Sequence, residues 1–250
     1  DPDAPLVYKG VVFNEMKGAM SSVSSVLWDR LCFELFPTST YHHNSGGDPE
    51  AIPDLSYDQL MAFYKGHYHP SNAILLTFGN LPVSQHHDVF EREALGRFEK
   101  SNEQIEVGLE VPFSEPRRAA HCYALEDTDT ADKTHLIMGW KLGESSDLDT
   151  LLEAQLLSSV LMENSASPLM QWLETNDLGA APSPLCGLED SMREMVLCCG
   201  IEGSNEEHAN AFETQVLDVV RAVSDDGVSP ERLEAILHQI ELHQREITGD

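Results

Sequence analysis

Residues 10–18 read Gly10-Val11-Val12-Phe13-Asn14-Glu15-Met16-Lys17-Gly18 and open a segment whose apolar residues recur at spacings of three and four. This spacing predicts one long helix over about residues 6–33 with a single buried face. Gly18 and the serines of residues 21–25 predict a kink or a close packing contact in its middle. Glu15 lies at the edge of the apolar stripe. Because an unpaired buried charge is costly, its carboxylate should be exposed, paired or bound to a cation, and spacing alone leaves these alternatives open.

The segment after this helix changes from loop to helix to strand. Residues 36–49 are rich in Gly, Pro, Ser, Thr and Asn, which is typical of a loop. Ser56 and Gln59 have the spacing of a capping box and predict a helix that ends near His67. The apolar run of residues 72–80 then predicts a buried strand. The side chains expected to face inward from the helix are Leu60, Phe63, Tyr64 and Tyr68.

The rest of the chain alternates between helical and extended patterns. Residues 100–118 are polar and are interpreted as a linker or a crossing strand. Strands alternating with helices indicate an α+β or α/β fold. Strands are predicted over residues 119–125, 136–142 and 193–201, and helices over residues 83–99, 148–161, 169–173 and 206–224, with a last helix that starts at Ser229.

Three segments of the first 80 residues carry a resemblance to a known family. They are YKGVVFNEMKG at residues 8–18, SGGDPEAIPDLSYDQL at residues 45–60 and HYHPSNAILLTFGN at residues 67–80. They resemble the zinc peptidases of the pitrilysin–insulinase (M16) family, and within it the presequence-protease branch. The resemblance implies that Glu15 is the third protein ligand of a catalytic Zn²⁺. The other two ligands and the general base would come from an H-x-x-E-H motif, which this sequence does not contain.

The same resemblance implies the fold and the domain organisation. It implies an α+β fold of two tandem two-layer α/β rolls, LuxS/metallohydrolase-like, each a largely antiparallel sheet covered by helices on one side. Residues 1–105 would form the C-terminal portion of the first, zinc-binding domain, and residues 106–250 a second, structural domain that builds a chamber wall. Gly47 and Asp48 are the candidates for the wall of the substrate cleft.

Composition and charge exclude some classes of function. The formal net charge is −28, from 43 acidic and 15 basic residues, which argues against nucleic acid as a partner. No apolar run approaches the length of a membrane-spanning helix, so no membrane partner is predicted. The five cysteines show no C-x-x-C spacing and predict neither a disulfide framework nor a thiolate zinc site. A reducing compartment fits this pattern best.

Two other groups of residues have the chemistry of metal ligands. Glu234, His238 and Glu241 share one face of the last predicted helix, although a solvated face is the commoner explanation. His42 and His43 are adjacent on a loop, where both side chains rarely reach one ion. His67 and His69, at the end of the predicted helix, are expected to cap the chain there and to pack, not to bind a metal. Glu15 is therefore the one metal ligand of this chain that the resemblance implies.

The predicted function is part of a zinc metalloendopeptidase that degrades short unstructured peptides, basic ones among them, inside a clamshell chamber. Its partners would include the N-terminal segment and the C-terminal half of the same protein, and the chain is expected to be an internal piece that is inactive alone. The compartment would be a bacterial cytoplasm or an organellar matrix. The alternative is a non-catalytic peptide-binding or structural subunit. The first residues show no signal-peptide pattern and are expected to be a loop.

Overall fold

A computed structural model describes residues 10–102, 105–125 and 129–246 of the chain. Its contacts group the chain into two compact units, a first unit of residues 1–43 and 109–250 and a second unit of residues 44–108. The predicted boundary at residue 105 between two family domains stays a prediction. The two compact units describe contacts within this chain and do not test how the domains of a longer protein are arranged. None of the helices in the described ranges has the length and apolar character that crossing a membrane requires.

The first unit contains an antiparallel sheet with strand β4 at its centre. The strands are β1 (Thr134–Glu144), β2 (Ala181–Pro182), β3 (Gly187–Glu189) and β4 (Glu194–Ser204). All three other strands pair with β4, and Gly139 of β1 lies opposite Cys198. Because β4 is covered on both faces, its sequence is a continuous apolar run from Met195 to Ile201.

Alternate side chains of β4 face two different hydrophobic clusters. Val196 and Cys198 pack in a cluster with Cys32, Leu35 and Phe36 at the end of the second helix. The intervening side chains pack against the helices on the opposite face, in a cluster that contains Leu197, Cys199, Ile201, Leu161, Leu169, Leu173, Phe212 and Val216. The predicted α+β class with an antiparallel sheet is confirmed. Helical residues cover both faces of the sheet, whereas the resemblance implied one covered side.

The helices of the second half agree with the predictions to within a few residues. Asp147 caps the first of them, because its Oδ1 accepts hydrogen bonds from the amides of Asp149 and Thr150. Ser229 caps the last one through the amide of Arg232. These helices are α5 (Leu148–Met162), α6 (Pro168–Thr175), α7 (Ala209–Asp226) and α8 (Pro230–Arg245).

The first predicted helix is divided into two helices. Helix α1 spans Val11–Ser21 and α2 spans Val23–Leu35, with Ser22 between them, so the single predicted helix is interrupted within the Ser-rich stretch that was expected to weaken it. The predicted single buried face is wrong for α1, since none of its residues is buried. The periodicity of the sequence identifies an apolar face of a helix but not the residues that would cover this face. No described residue covers the apolar face of α1. Residues 6–9, at the predicted start, lie outside the described residues.

The described residues of the second unit, 44–102 and 105–108, form two α-helices and several short 3₁₀ turns. Helix α3 (Tyr57–His67) begins with the predicted capping box of Ser56 and Gln59, and α4 spans Val83–Glu93. The predicted strand over residues 72–80 is wrong, because no described residue pairs with this extended segment. The four apolar residues of α3 and its end that were expected to face inward are exposed: Leu60, Phe63, Tyr64 and Tyr68.

The predicted strand over residues 119–125 is also absent. The described part of residues 105–125 forms no regular secondary structure. Within the first unit, side chains hold residues 117–121 to neighbouring helices instead: Arg117 and His121 contact the carboxylate of Glu34, and Arg118 makes two hydrogen bonds to Glu213. An extended chain becomes a strand only when a neighbour accepts its backbone hydrogen bonds, and no described strand lies beside it.

Candidate functional site

Glu15 lies in the middle of α1, on an exposed part of the helix surface. Its neighbours Val11 and Val12 are also largely exposed, at 73% and 67%. The carboxylate accepts no hydrogen bond and makes no ion pair with the described residues. A helix holds a side chain in a defined direction, so Glu15 presents on a regular scaffold a carboxylate that the described residues leave unoccupied.

Gly47 and Asp48 form a turn in the second unit. Gly47 has a φ of 86°, a conformation that favours glycine, and its amide donates to the carbonyl of Asn44 at 2.9 Å. Asp48 Oδ1 accepts from the amide of Glu50 at 2.8 Å, while its carbonyl accepts from the amides of Ala51 and Ile52. The structure thus brings these two predicted residues together in one ordered turn. Glu15 belongs to the other unit.

Two of the other candidate metal ligands, His42 and Glu241, already bond to neighbouring groups of the protein. His42 bonds through Nδ1 to the carbonyl of Phe33, and His69 Nδ1 accepts from the amide of Ser71, which confirms its capping role. Glu241 on α8 pairs with Arg245. Across residues 10–102, 105–125 and 129–246, no three His, Cys, Asp or Glu side chains are grouped so that they could hold a metal ion.

Glu15 provides a suitable type of zinc ligand, but one ligand is fewer than a catalytic zinc site requires. A carboxylate oxygen is an ordinary zinc ligand, and an unpaired carboxylate is free to serve as one. Catalytic zinc sites use three protein ligands, however, and this chain offers one at Glu15. Any zinc site here therefore needs ligands in addition to the described residues.

A buried carboxylate, which the sequence patterns did not predict, lies in the polar segment that was interpreted as a linker. Glu110 is only 3% exposed. Its Oε2 accepts from the amides of Thr38 at 2.8 Å and Ser39 at 3.0 Å, and its Oε1 accepts from the Thr38 hydroxyl at 2.6 Å. The Glu110 amide donates in turn to the carboxylate of Glu194 at 2.6 Å. The position of an acidic residue between two apolar residues, Leu109 and Val111, was the feature of the sequence that could have indicated this buried carboxylate.

Hydrogen bonding decides the charge state of Glu110. Burial alone would raise its pKa, but hydrogen bonds from Thr38, Val111 and Ser39 outweigh burial and lower the pKa from 4.5. The group is therefore an ionised carboxylate that fastens the chain at Glu110 to the turn after α2 within the first unit. It is saturated by these donors, so we assign it a structural role.

Comparison with known proteins places the chain in a family. The sequence profile described as "Peptidase M16 inactive domain" matches residues 54–240, which is well over half of the chain. The chain therefore belongs to the peptidase M16 family. The match begins after residues 10–18, so the word "inactive" in that description does not refer to the segment that carries Glu15.

Individual relatives share this segment and extend much further. The chain is 35% identical over 248 residues to "Presequence protease, mitochondrial" of Danio rerio, 34% over 248 residues to that of Mus musculus and 33% over 247 residues to that of Xenopus laevis. Each alignment covers 98% of this chain and 24% of the relative. The chain thus spans about a quarter of the length of these relatives.

Solved structures share the fold at low sequence identity. The peptidase M16 inactive domain from Pseudomonas fluorescens has a TM-score of 0.61 at 13% identity, over 94% of this chain and 57% of that one. A protease from Helicobacter pylori has a TM-score of 0.59 at 16% identity, over 94% and 55%. These likenesses support the α+β fold with its antiparallel sheet.

Proposed function

We propose that this chain is part of a zinc metalloendopeptidase that degrades short unstructured peptides within an enclosed chamber. The observation that carries the proposal is the match of 98% of the chain to presequence proteases, which includes the helix of Glu15. Those presequence proteases are mitochondrial, so we favour an organellar matrix over a bacterial cytoplasm.

Glu15 would act as one ligand of the metal. Zinc, when bound, lowers the pKa of a bound water toward neutrality and polarises the scissile carbonyl. Glu15 would supply a carboxylate oxygen from the middle of α1, and the helix would keep the direction of that oxygen constant. The remaining ligands and the general base would come from an H-x-x-E-H motif elsewhere in the same protein.

The remaining described residues would shape the enclosure. Gly47 and Asp48 would contribute an ordered turn to the cleft wall. The sheet of β1–β4 and helices α5–α8 would build the chamber wall, as the resemblance to the family implies. Enclosure selects by size, so a folded protein would not enter.

The proposal is tested in the full-length polypeptide by replacing Glu15. Glu15→Gln keeps the size of the side chain but removes its charge, and we expect zinc affinity to fall by at least ~100-fold with loss of peptide cleavage. Glu153→Gln, at an exposed position of α5, is the matched control and should leave both unchanged. Elemental analysis and a peptide-cleavage assay give the readouts. Stoichiometric zinc and full activity in Glu15→Gln would contradict the assignment.

The 250-residue chain alone gives a second test. We expect it neither to hydrolyse peptides nor to retain zinc after dialysis, since one carboxylate is too few ligands. Stoichiometric zinc in the isolated chain would contradict this expectation.

A second candidate function is favoured by the description of the matched profile as an inactive domain. Under this candidate the protein is a non-catalytic peptide-binding or structural subunit of an M16-type complex. The flanking gene sequence distinguishes the two candidates. An H-x-x-E-H motif upstream supports the peptidase, and its absence supports the subunit.

A further inference from the structure

Ser22 joins the helix that carries Glu15 to the helix that packs on the sheet. It ends α1, because its amide donates to the carbonyl of Ala19 at 3.3 Å. It also begins α2, because its Oγ accepts from the amide of Ser25 at 3.4 Å and its carbonyl accepts from the amide of Val26 at 3.0 Å. Its ψ of 121° is extended, so the helical path is interrupted at this residue. Hydrogen bonds on both sides of Ser22 therefore fix the angle between the two helices.

The far end of α2 is fastened to the sheet. Phe36, directly after α2, is fully buried and packs in one cluster with Val196 and Cys198 of β4. The helix also lies close to β1, since a Cβ added at Gly139 would be 3.2 Å from a methyl carbon of Leu35. Because both contacts belong to the buried core, α2 has a fixed position on the sheet of the first unit.

Helix α1 has no such support. None of its residues is buried, so packing against the described residues does not set its direction. Glu15 precedes Ser22 by seven residues, which is ~10 Å along a helix axis. A rotation of about 10° at Ser22 would therefore displace the Glu15 carboxylate by about 2 Å, whereas a working site holds its groups to within about 0.5 Å. The direction of this carboxylate thus depends on the junction at Ser22.

We propose that Ser22 is a positioning residue for the Glu15 carboxylate. By ending one helix and beginning the next, it transmits the fixed position of α2 to α1 and so directs the metal ligand. This inference rests on the proposed function, because it takes Glu15 as a zinc ligand. It gives the sheet of β1 and β4 a role beyond enclosure, since the sheet holds the helix that sets the direction of the ligand.

Variants of Ser22 in the full-length polypeptide test the proposal. Ser22→Ala removes the cap, whereas Ser22→Thr keeps a hydroxyl that can accept from the amide of Ser25. Zinc affinity should fall about 10-fold in Ser22→Ala and should be restored in Ser22→Thr. With Co²⁺ in place of zinc, the visible absorption spectrum of the bound ion should change in Ser22→Ala only. Ser25→Ala, at an exposed position of α2, is the control and should leave affinity and spectrum unchanged.

Amide hydrogen exchange of the metal-free polypeptide measures the cap separately from the metal. Amides of residues 23–26 should exchange about 5-fold faster in Ser22→Ala than in Ser22→Thr, because the first turn of α2 opens more often without its cap. Faster exchange with unchanged zinc affinity would overturn the proposal, and so would unchanged exchange. Retention of zinc by Glu15→Gln would instead contradict the proposed function. Loss of zinc in Glu15→Gln with full affinity in Ser22→Ala would contradict this inference alone.

Two adjacent residues of β4 test whether the sheet acts through α2. Cys198 belongs to the cluster with α2, Cys199 belongs to the cluster on the opposite face, and both are buried. Leucine at either position overpacks its own cluster. Cys198→Leu should lower zinc affinity about 10-fold, because it displaces α2, whereas Cys199→Leu should leave it unchanged. Urea unfolding checks that both variants are folded, and equal zinc affinities in the two folded variants would contradict transmission through α2.

Discussion

At the scale of single residues, two carboxylates show how surroundings assign a role. Glu15 is exposed on α1 and makes no contact with the described residues that would occupy its oxygens. Glu110 is buried, and both of its oxygens accept hydrogen bonds from residues that it holds in place. The free carboxylate can bind a cation, whereas the saturated one cannot do so without breaking the structure around it.

Replacing Glu110 should destabilise the folded chain. In Glu110→Gln one acceptor becomes a donor that faces the amides of Thr38, Ser39 or Val111, so we expect the free energy of unfolding to fall by about 1–3 kcal/mol. Urea unfolding monitored by circular dichroism measures this decrease in the free energy of unfolding. Glu106→Gln, at an exposed position of the same segment, is the control and should be neutral.

The lowered pKa of Glu110 also predicts a pH dependence. A carboxyl whose pKa is lower in the folded state stabilises that state above its unfolded pKa, and this contribution is lost as the pH falls through the folded pKa. The free energy of unfolding should therefore decrease below pH 4.5, and less steeply in Glu110→Gln than in the unsubstituted chain. Parallel slopes in the two proteins would contradict the assigned charge state.

The cysteines should differ sharply in reactivity. Burial raises the pKa of Cys32 and of Cys198 to about 12, and burial also raises the pKa of Cys186 and Cys199. Cys122 is exposed. Because the thiolate is the reactive form, a thiol reagent should modify Cys122 rapidly in the folded chain and the four others at least ~100-fold more slowly. Cys122→Ser should abolish the fast phase, and a fast phase that survives would contradict the prediction.

At the scale of elements, β4 and α2 depend on each other. Phe36, directly after α2, is 0% exposed and lies in the cluster with Val196 and Cys198. Phe36→Ala should lower the free energy of unfolding by about 3–5 kcal/mol, because it leaves a cavity in that cluster. Denaturant unfolding measures the loss. Phe78→Ala is the control: the same substitution at a fully exposed position should have almost no effect in this chain. Equal losses would mean that Phe78 is covered.

Elements also show where sequence patterns stop being informative. The capping box of Ser56 and Gln59 and the caps at Asp147 and Ser229 are local, and all three helices begin where the patterns predict. Residues 72–80 and 119–125 have strand-like composition but form no strand among the described residues. Composition can specify that a segment would suit a sheet. Only a neighbour with free backbone groups can make it a strand.

At the scale of the whole molecule, the acidic charge predicts a preference among peptide substrates. A net charge of −28 attracts cationic peptides over long distances, and salt screens this attraction. If the full-length protein is the proposed peptidase, we therefore expect kcat/KM to fall with ionic strength for a cationic peptide and to change little for a neutral peptide of equal length. Equal salt dependence for the two peptides would contradict a role of the charge in substrate capture.

The sequence by itself determined the helices, the central strand β4 and the family, because these depend on local caps, on apolar runs and on motifs that are contiguous in the chain. It also singled out Glu15, through the resemblance that residues 10–18 carry. Only the tertiary structure decided that α1 is uncovered, that residues 73–78 lack a partner and that Glu110 is buried against the turn at Thr38. Burial and pairing depend on residues that are distant in sequence, such as Glu110 and Glu194, and no local pattern contains that information.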